Sequence, residues 1–179
     1  MALVAPPSDQ VAGMDTKFRS SEQHVLDIST VINYLRERYE RDVYLHGHCR
    51  SSFSPANVAT ELKNHGIAGI ILSSPRSRGR HGAVTDYEEG VVKVPILLVQ
   101  HRNDACKGTL YRYLNDVKRF YEKSSSRVDV IIVSGGETGS TGPSSCQNKA
   151  HSFVSFRKET AQAIADWVKG NTFPDSIPD

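Results

Sequence analysis

The stretch VYLHGHCRSSFSPANVATEL, residues 43–62, decides the reading of this chain. An apolar run, DVYLHG (42–47), has the pattern of a strand. It ends in Gly47-His48-Cys49-Arg50-Ser51, and helical periodicity follows. Pro55 sits where the first turn of a helix tolerates proline, and ANVATELKNHG reads as a helix closed by Gly66. A strand, a small-x-nucleophile-x-small pentapeptide and a helix force a tight, strained turn. Gly47 and Ser51 are the two small residues that let the backbone double back. The turn lifts the Cys49 side chain above the sheet and points the N–H of Arg50 at the same space, where it can receive an oxyanion. The N-terminus of the following helix favours a reactive thiolate. From the local pattern alone, a buried and inert cysteine at a strand end competes with this reading.

Outward from this turn, short apolar runs alternate with helical periodicity. ALVAP (2–6) reads as a strand ended by Pro6-Pro7. Residues 20–39 read as a helix capped by Ser20 or Ser21, with Val25, Ile28, Ile32 and Leu35 as its apolar stripe and Arg36 and Arg38 near its end. IAGIILSS (67–74) is a buried strand, residues 75–94 are mostly loop, and PILLVQH (95–101) is a strand. TLYRYLNDVKRFYEK (109–123) is a helix, and RVDVIIVSGG (127–136) is a strand ending in a glycine pair. A long Gly/Ser loop leads to the last helix, residues 155–170, anchored by Trp167. The tail, residues 171–179, reads as irregular. Five near-continuous apolar strands alternating with four helices predict an α/β fold, a parallel sheet covered on both faces. Ligands in such sheets bind beyond the carboxyl ends of the strands. Cys49, Asp104 and His151 lie there, each after a different strand. Taken singly, Asp104 in Asn103-Asp104 suits an ordinary turn, and His151 suits a polar loop. Their chain order, nucleophile then acid then base, is far more specific than any one of them.

The composition sets the surroundings. With 179 residues, the chain is expected to be one domain and can bury roughly two-thirds of its unfolded surface. The formal charge of +2 and the lack of a basic stripe with interleaved aromatics give no reason to expect a nucleic-acid partner. No apolar run reaches the ~18 residues of a membrane span. The N-terminal MALVAPPSDQ lacks the basic start and apolar core of a signal peptide, so the chain reads as cytosolic, or as a mature or truncated form with a start Met.

The strings GHCRS, VPILLVQHRNDAC, the glycine pair 135–136 and AHSF resemble the α/β-hydrolase superfamily, in particular small bacterial esterases and dienelactone hydrolases. The resemblance covers nearly the whole chain, from that family's fourth strand to its last helix. It implies a truncated α/β-hydrolase-like fold and cleavage of an ester, lactone or related acyl bond, with no cofactor and no metal. The family's nucleophile falls on Cys49, its acid on Asp104, its base on His151 and one oxyanion donor on the Arg50 N–H. The family usually has Ser at the elbow, though dienelactone hydrolases use Cys, and Ser51 replaces the second glycine. The family's opening strands and its HGG-type oxyanion loop have no counterpart here, which leaves a gap in the sheet unless ALVAP pairs directly with residues 42–46. A shifted strand, a homodimer or a lost segment would each fill that gap, and the PPSDQ loop is the candidate second oxyanion donor. Ser52 and Ser54 are out of register for the elbow tip.

The three cysteines follow from the same placement. If Asp104 and His151 meet, Cys106 and Cys146 are brought close. A disulfide between them would clip the acid loop to the base loop and leave Cys49 as the odd thiol. It would also imply a periplasmic or secreted protein. Two free thiols in a reducing cytosol are the alternative. Two other readings stay open. His46-x-His48-Cys49 offers three zinc-type ligands on one strand end. The chain as a whole also reads as a serine-esterase scaffold disabled by Cys, or as a binding domain that kept the pocket and lost the chemistry. The basic loop 74–82 falls where the family carries its variable cap, and reads as solvated loop or as an anion contact. His24 and His65 are expected on helices, without a chemical role.

Overall fold

The computed structural model describes residues 1–79 and 81–178. Arg80 of the basic loop and Asp179 of the tail lie outside the described residues. Ten elements follow one another: α1 (Thr16–Arg19), α2 (Glu22–Tyr39), β1 (Tyr44–His48), α3 (Phe53–Glu61), β2 (Gly69–Ser73), β3 (Ile96–His101), α4 (Leu114–Glu122), β4 (Val128–Val133), α5 (Arg157–Lys169) and β5 (Ser176–Ile177). The strands form one sheet in the order β1-β2-β3-β4-β5, and every pairing is parallel. No helix among the described residues is long and apolar enough to cross a membrane.

The apolar strands are continuous because both sheet faces are covered. Side chains alternate across a strand, so Ile70, Leu72, Ile96 and Leu98 pack on one side with Ile32 of α2, Ala56 and Val58 of α3, and Val117 and Tyr121 of α4. Ile71, Leu97, Val99, Ile131 and Val133 pack on the other with Ala163 and Trp167 of α5. In α2 the stripe behaves as its spacing predicts: Val25 and Ile32 are buried, and Ile28 and Leu35 pack against the core. The Ser21 side chain caps this helix by accepting from the His24 N–H at 3.2 Å. A left-handed Gly170 ends α5, where a glycine meets no steric penalty.

The structure corrects the expected strands at both ends of the chain. Residues 2–6 form no strand, and Leu3 and Val4 are 88% and 51% exposed. An apolar run becomes a strand only when a neighbour accepts its hydrogen bonds, and this one lies off the sheet. The fifth strand comes instead from the tail read as irregular. Ser176–Ile177 extends the sheet beside β4, and Ile177 is buried in the Trp167 cluster. There is therefore no internal gap in the sheet. β1, the strand that leads into the elbow, is an edge strand, paired with β2 on one side. The short α1, capped by the Asp15 carboxylate, is not visible in the periodicity. The helix after β1 ends at Glu61 rather than Gly66, and the turn through left-handed Lys63 and Asn64 carries His65 off the helix.

Candidate active site

The site is assembled at the carboxyl edge of the sheet. β1 delivers Cys49, the loop after β3 delivers Asp104, and the long loop after β4 delivers His151. Cys49 has φ +53°, a left-handed backbone that a non-glycine residue adopts only where the surroundings impose it. The chain then turns at once into a 3-10 helix, Cys49–Ser52, and into α3. The doubling back is so tight that a Cβ added at Gly47 would sit 2.3 Å from the Ser51 carbonyl oxygen. Only glycine fits at that position. The Arg50 N–H opens the 3-10 turn, among the first donors of a helical segment that find no partner within it.

His151 is buried between the acid and the thiol. Its Nδ1 donates to Asp104 Oδ2 at 2.9 Å, which turns Nε2 away from the acid. The Asp104 carboxylate also accepts from Gln100 Nε2 at 3.0 Å, Thr109 Oγ1 at 2.8 Å and the Cys106 N–H at 2.9 Å. Burial works to raise the Asp104 pKa, but His151 first, and then the Cys106 N–H and Thr109, hold it below the usual carboxylate value. The His151 backbone is tied on both sides: its N–H donates to Asn148 Oδ1, and its carbonyl accepts from Ser74 Oγ. Burial would lower the imidazole pKa. The hydrogen bond to Asp104 and the Cys49 side chain facing the ring outweigh it and bring His151 to about 9. The Cys49 sulfur, the Cys106 sulfur and a ring nitrogen of His151 all lie within 4.8 Å of one another. Cys106 and Cys146 form a disulfide, and Cys49 is the free cysteine.

The other expected residues are placed as follows. His46 and His48 point the same way from β1, as a two-residue spacing on a strand requires, and their rings converge on the Ser73 hydroxyl at 2.8 and 3.2 Å. The His48 ring lies 4.9 Å from the His151 ring, tilted by 50°. Burial, and then the neighbouring His151 charge, push the His48 pKa down to about 4. Two imidazoles sharing one hydroxyl do not make a tetrahedral ligand set with Cys49. Among the described residues, the cluster with metal-ligand spacing is Cys49, Cys106 and His151, and its Cys106 sulfur is committed to the disulfide. Ser52 is fully buried, donates to the Cys49 carbonyl and accepts from the Arg76 N–H. Ser54 accepts from the Arg19 guanidinium. Ser52 thus braces the turn at Cys49, while Ser54 ties α3 to α1. The sequence reading missed Gln100, Thr109, Asn148, Ser73 and Ser74. Gln100 had a visible signal, a polar side chain inside an otherwise apolar strand; the others had none.

No protein-family model and no curated protein matches the chain in sequence. Solved structures do. An esterase of Pyrococcus furiosus superposes with a TM-score of 0.60 at 13% identity, over 83% of this chain and 62% of the esterase. A monoacylglycerol lipase of Paleococcus ferrophilus superposes with a TM-score of 0.54 at 15% identity, over 83% of this chain and 76% of the lipase. The chain thus spans less than two-thirds of the esterase's length. The five-stranded parallel sheet with its helices is a truncated α/β-hydrolase-like fold.

Proposed function

We propose that this chain is a thiol-dependent hydrolase of an ester, lactone or related acyl bond, acting as one domain on a small-molecule acyl substrate. The observation that carries this reading is His151, buried with one ring nitrogen on Asp104 and the Cys49 sulfur within reach. Cys49 attacks the acyl carbonyl. His151 takes the thiol proton, delivers it to the departing alkoxide, and then activates the water that releases the acid. Asp104 holds the ring in the productive tautomer and stabilises its cation. The Arg50 N–H receives the charge that develops on the carbonyl oxygen. The likeness to an esterase and a lipase supports the ester-cleaving class. The Cys106–Cys146 disulfide supports an oxidising compartment, periplasmic or extracellular.

A second reading, a binding domain or a disabled serine esterase, draws on the oxyanion hole. One donor is assigned to the Arg50 N–H and the second is left to the PPSDQ loop, and losing one such donor typically costs about 10²- to 10³-fold in rate. The experiment is hydrolysis of a short-chain p-nitrophenyl ester by the wild type, Cys49→Ser and Cys49→Ala. Turnover by the wild type that Cys49→Ala abolishes supports the thiol hydrolase. Activity in Cys49→Ser alone assigns a disabled serine esterase, and inactivity of all three assigns a binding domain.

A further inference from the structure

The Cys49 sulfur has two neighbours, and the hydrolytic reading uses only one. On one side is His151. On the other is a sulfur of the disulfide that clips the acid loop to the base loop. Cys49 and Cys106 bring their sulfurs within 4.8 Å, beside the same imidazole. Cys106 is 2% exposed, so solvent thiols have little access to it from outside, while Cys49 faces it from within. Its partner Cys146 is half-buried, on the Gly/Ser-rich loop between β4 and α5. A thiolate attacks one sulfur of a disulfide and displaces the other, and the rate depends on the attacking thiolate, on the leaving thiol and on access to the sulfur attacked.

We propose that Cys49 and the Cys106–Cys146 disulfide form an internal thiol–disulfide exchange centre that switches the nucleophile on and off. The Cys49 thiol gives its proton to His151, and the thiolate attacks Cys106 Sγ. The Cys49–Cys106 bond forms as the Cys106–Cys146 bond breaks. The electron pair leaves on the Cys146 sulfur, which takes a proton from solvent as His151 releases to solvent the proton it took from Cys49. One disulfide and one thiol are present before and after, so no outside oxidant or reductant is consumed. Side-chain rotation of Cys49 and Cys106 closes the remaining gap between the sulfurs. In the exchanged state the nucleophile is capped and the His151 loop has lost its clip to the acid loop. Attack by Cys146 restores the starting pairing. The exchange needs only the three sulfurs and the imidazole, so it stands apart from the hydrolytic reading.

The test traps free thiols in the wild-type chain with N-ethylmaleimide after incubation at mildly alkaline pH, followed by non-reducing peptide mapping. The expected result is about one chain in ten or more carrying the label on Cys146 together with a Cys49–Cys106 peptide. A tenfold ratio between the pairings corresponds to about 30 mV for this two-electron couple. The fraction is expected to be independent of protein concentration and to vanish in Cys49→Ser. Label confined to Cys49 overturns the proposal. So does exchange that grows with protein concentration, or Cys146 labelling that persists in Cys49→Ser. A chain that hydrolyses no ester but shows the exchanged peptide leaves the exchange standing and removes the hydrolytic reading, and with it the exchange's role as a switch of that activity.

Discussion

His151 Nδ1 and Asp104 Oδ2 meet at 2.9 Å, with both side chains closed to solvent and three further donors on the same carboxylate. The pair fixes both the direction and the charge of the ring. Asp104→Asn presents an amide that can donate to Nδ1, which reverses the tautomer and turns a protonated Nε2 toward Cys49. Ester turnover by this variant is expected to fall by about 10⁴-fold at neutral pH, the cost of the wrong tautomer in a serine triad. KM should change little, because Asp104 acts through the ring. Steady-state kinetics of the variant check both expectations.

Gly47 and Ser51 bear on whether the elbow tolerates any change. Gly47→Ala places a methyl group 2.3 Å from a backbone oxygen that cannot rotate away. The expected outcome is a loss of about 1–3 kcal/mol in stability, the range for overpacking, and a loss of Cys49 reactivity out of proportion to it. Urea unfolding and the rate of iodoacetamide labelling, measured on the same preparation, separate the two effects. Labelling at the wild-type rate would mean that the left-handed turn does not set the nucleophile's position.

The turn at Cys49 and the convergence of the three candidate residues could be anticipated because each reading is local. A strand runs into a short pentapeptide at Cys49, and an apolar strand runs directly into the Asp104 loop. What failed was pairing. ALVAP and Ser176–Ile177 differ in nothing that the local pattern can express except length, and length favoured the wrong one. A two-residue strand is defined by the β4 edge it meets and by the burial of Ile177. Thr109 and Asn148 escaped notice for a related reason. A threonine five residues beyond an aspartate carries no signal until the loop folds its hydroxyl back onto Oδ2.

The disulfide bears on stability. Cys106 and Cys146 are 40 residues apart, and closing a loop of that size removes about 4 kcal/mol of unfolded-chain entropy in the chain-entropy model. The double variant Cys106→Ala, Cys146→Ala is expected to lose about that much, read from urea unfolding extrapolated to water, with a steeper slope because the unfolded chain is no longer cross-linked. The loss should extend to the site, because the base loop then has no covalent tie to the acid loop and the His151 backbone is held only through its hydrogen bonds to Asn148 in that loop and to Ser74 after β2. The His151–Asp104 contact is therefore expected to loosen before the sheet melts. Hydrogen exchange at the His151 amide, faster in the variant while the β3 amides stay protected, checks this.

The pH dependence follows from the two neighbouring imidazoles, His48 and His151, whose pKa values are moved in opposite directions. His151 is raised from its ordinary 6.5 to about 9, against burial, by its hydrogen bond to Asp104 and by the facing Cys49. Its contribution to stability is therefore complete below pH 6.5 and is lost as pH rises through about 9. His48 is lowered to about 4, by burial and by the His151 charge. The folded state resists its protonation, so stability falls as pH drops from 6.5 toward 4. The fold is expected to be most stable above pH 6.5 and well below 9, with an acid loss set first by His48 together with His24, His46 and His101, which burial also lowers, and then, below the ordinary carboxylate range, by Asp104, whose pKa is lowered. Replacing His48 by Asn should flatten the first part of the acid loss and leave the alkaline side unchanged. Activity should carry the His151 signature alone. Hydrolysis of an alkyl ester, whose alcohol needs a proton to depart, should decline above about pH 9, and the decline should move to lower pH when Asp104 no longer supports the cation. Urea midpoints and kcat profiles across this range test the two halves separately. An alkaline limb that stays in place in Asp104→Asn would mean that some group other than His151 supplies the proton.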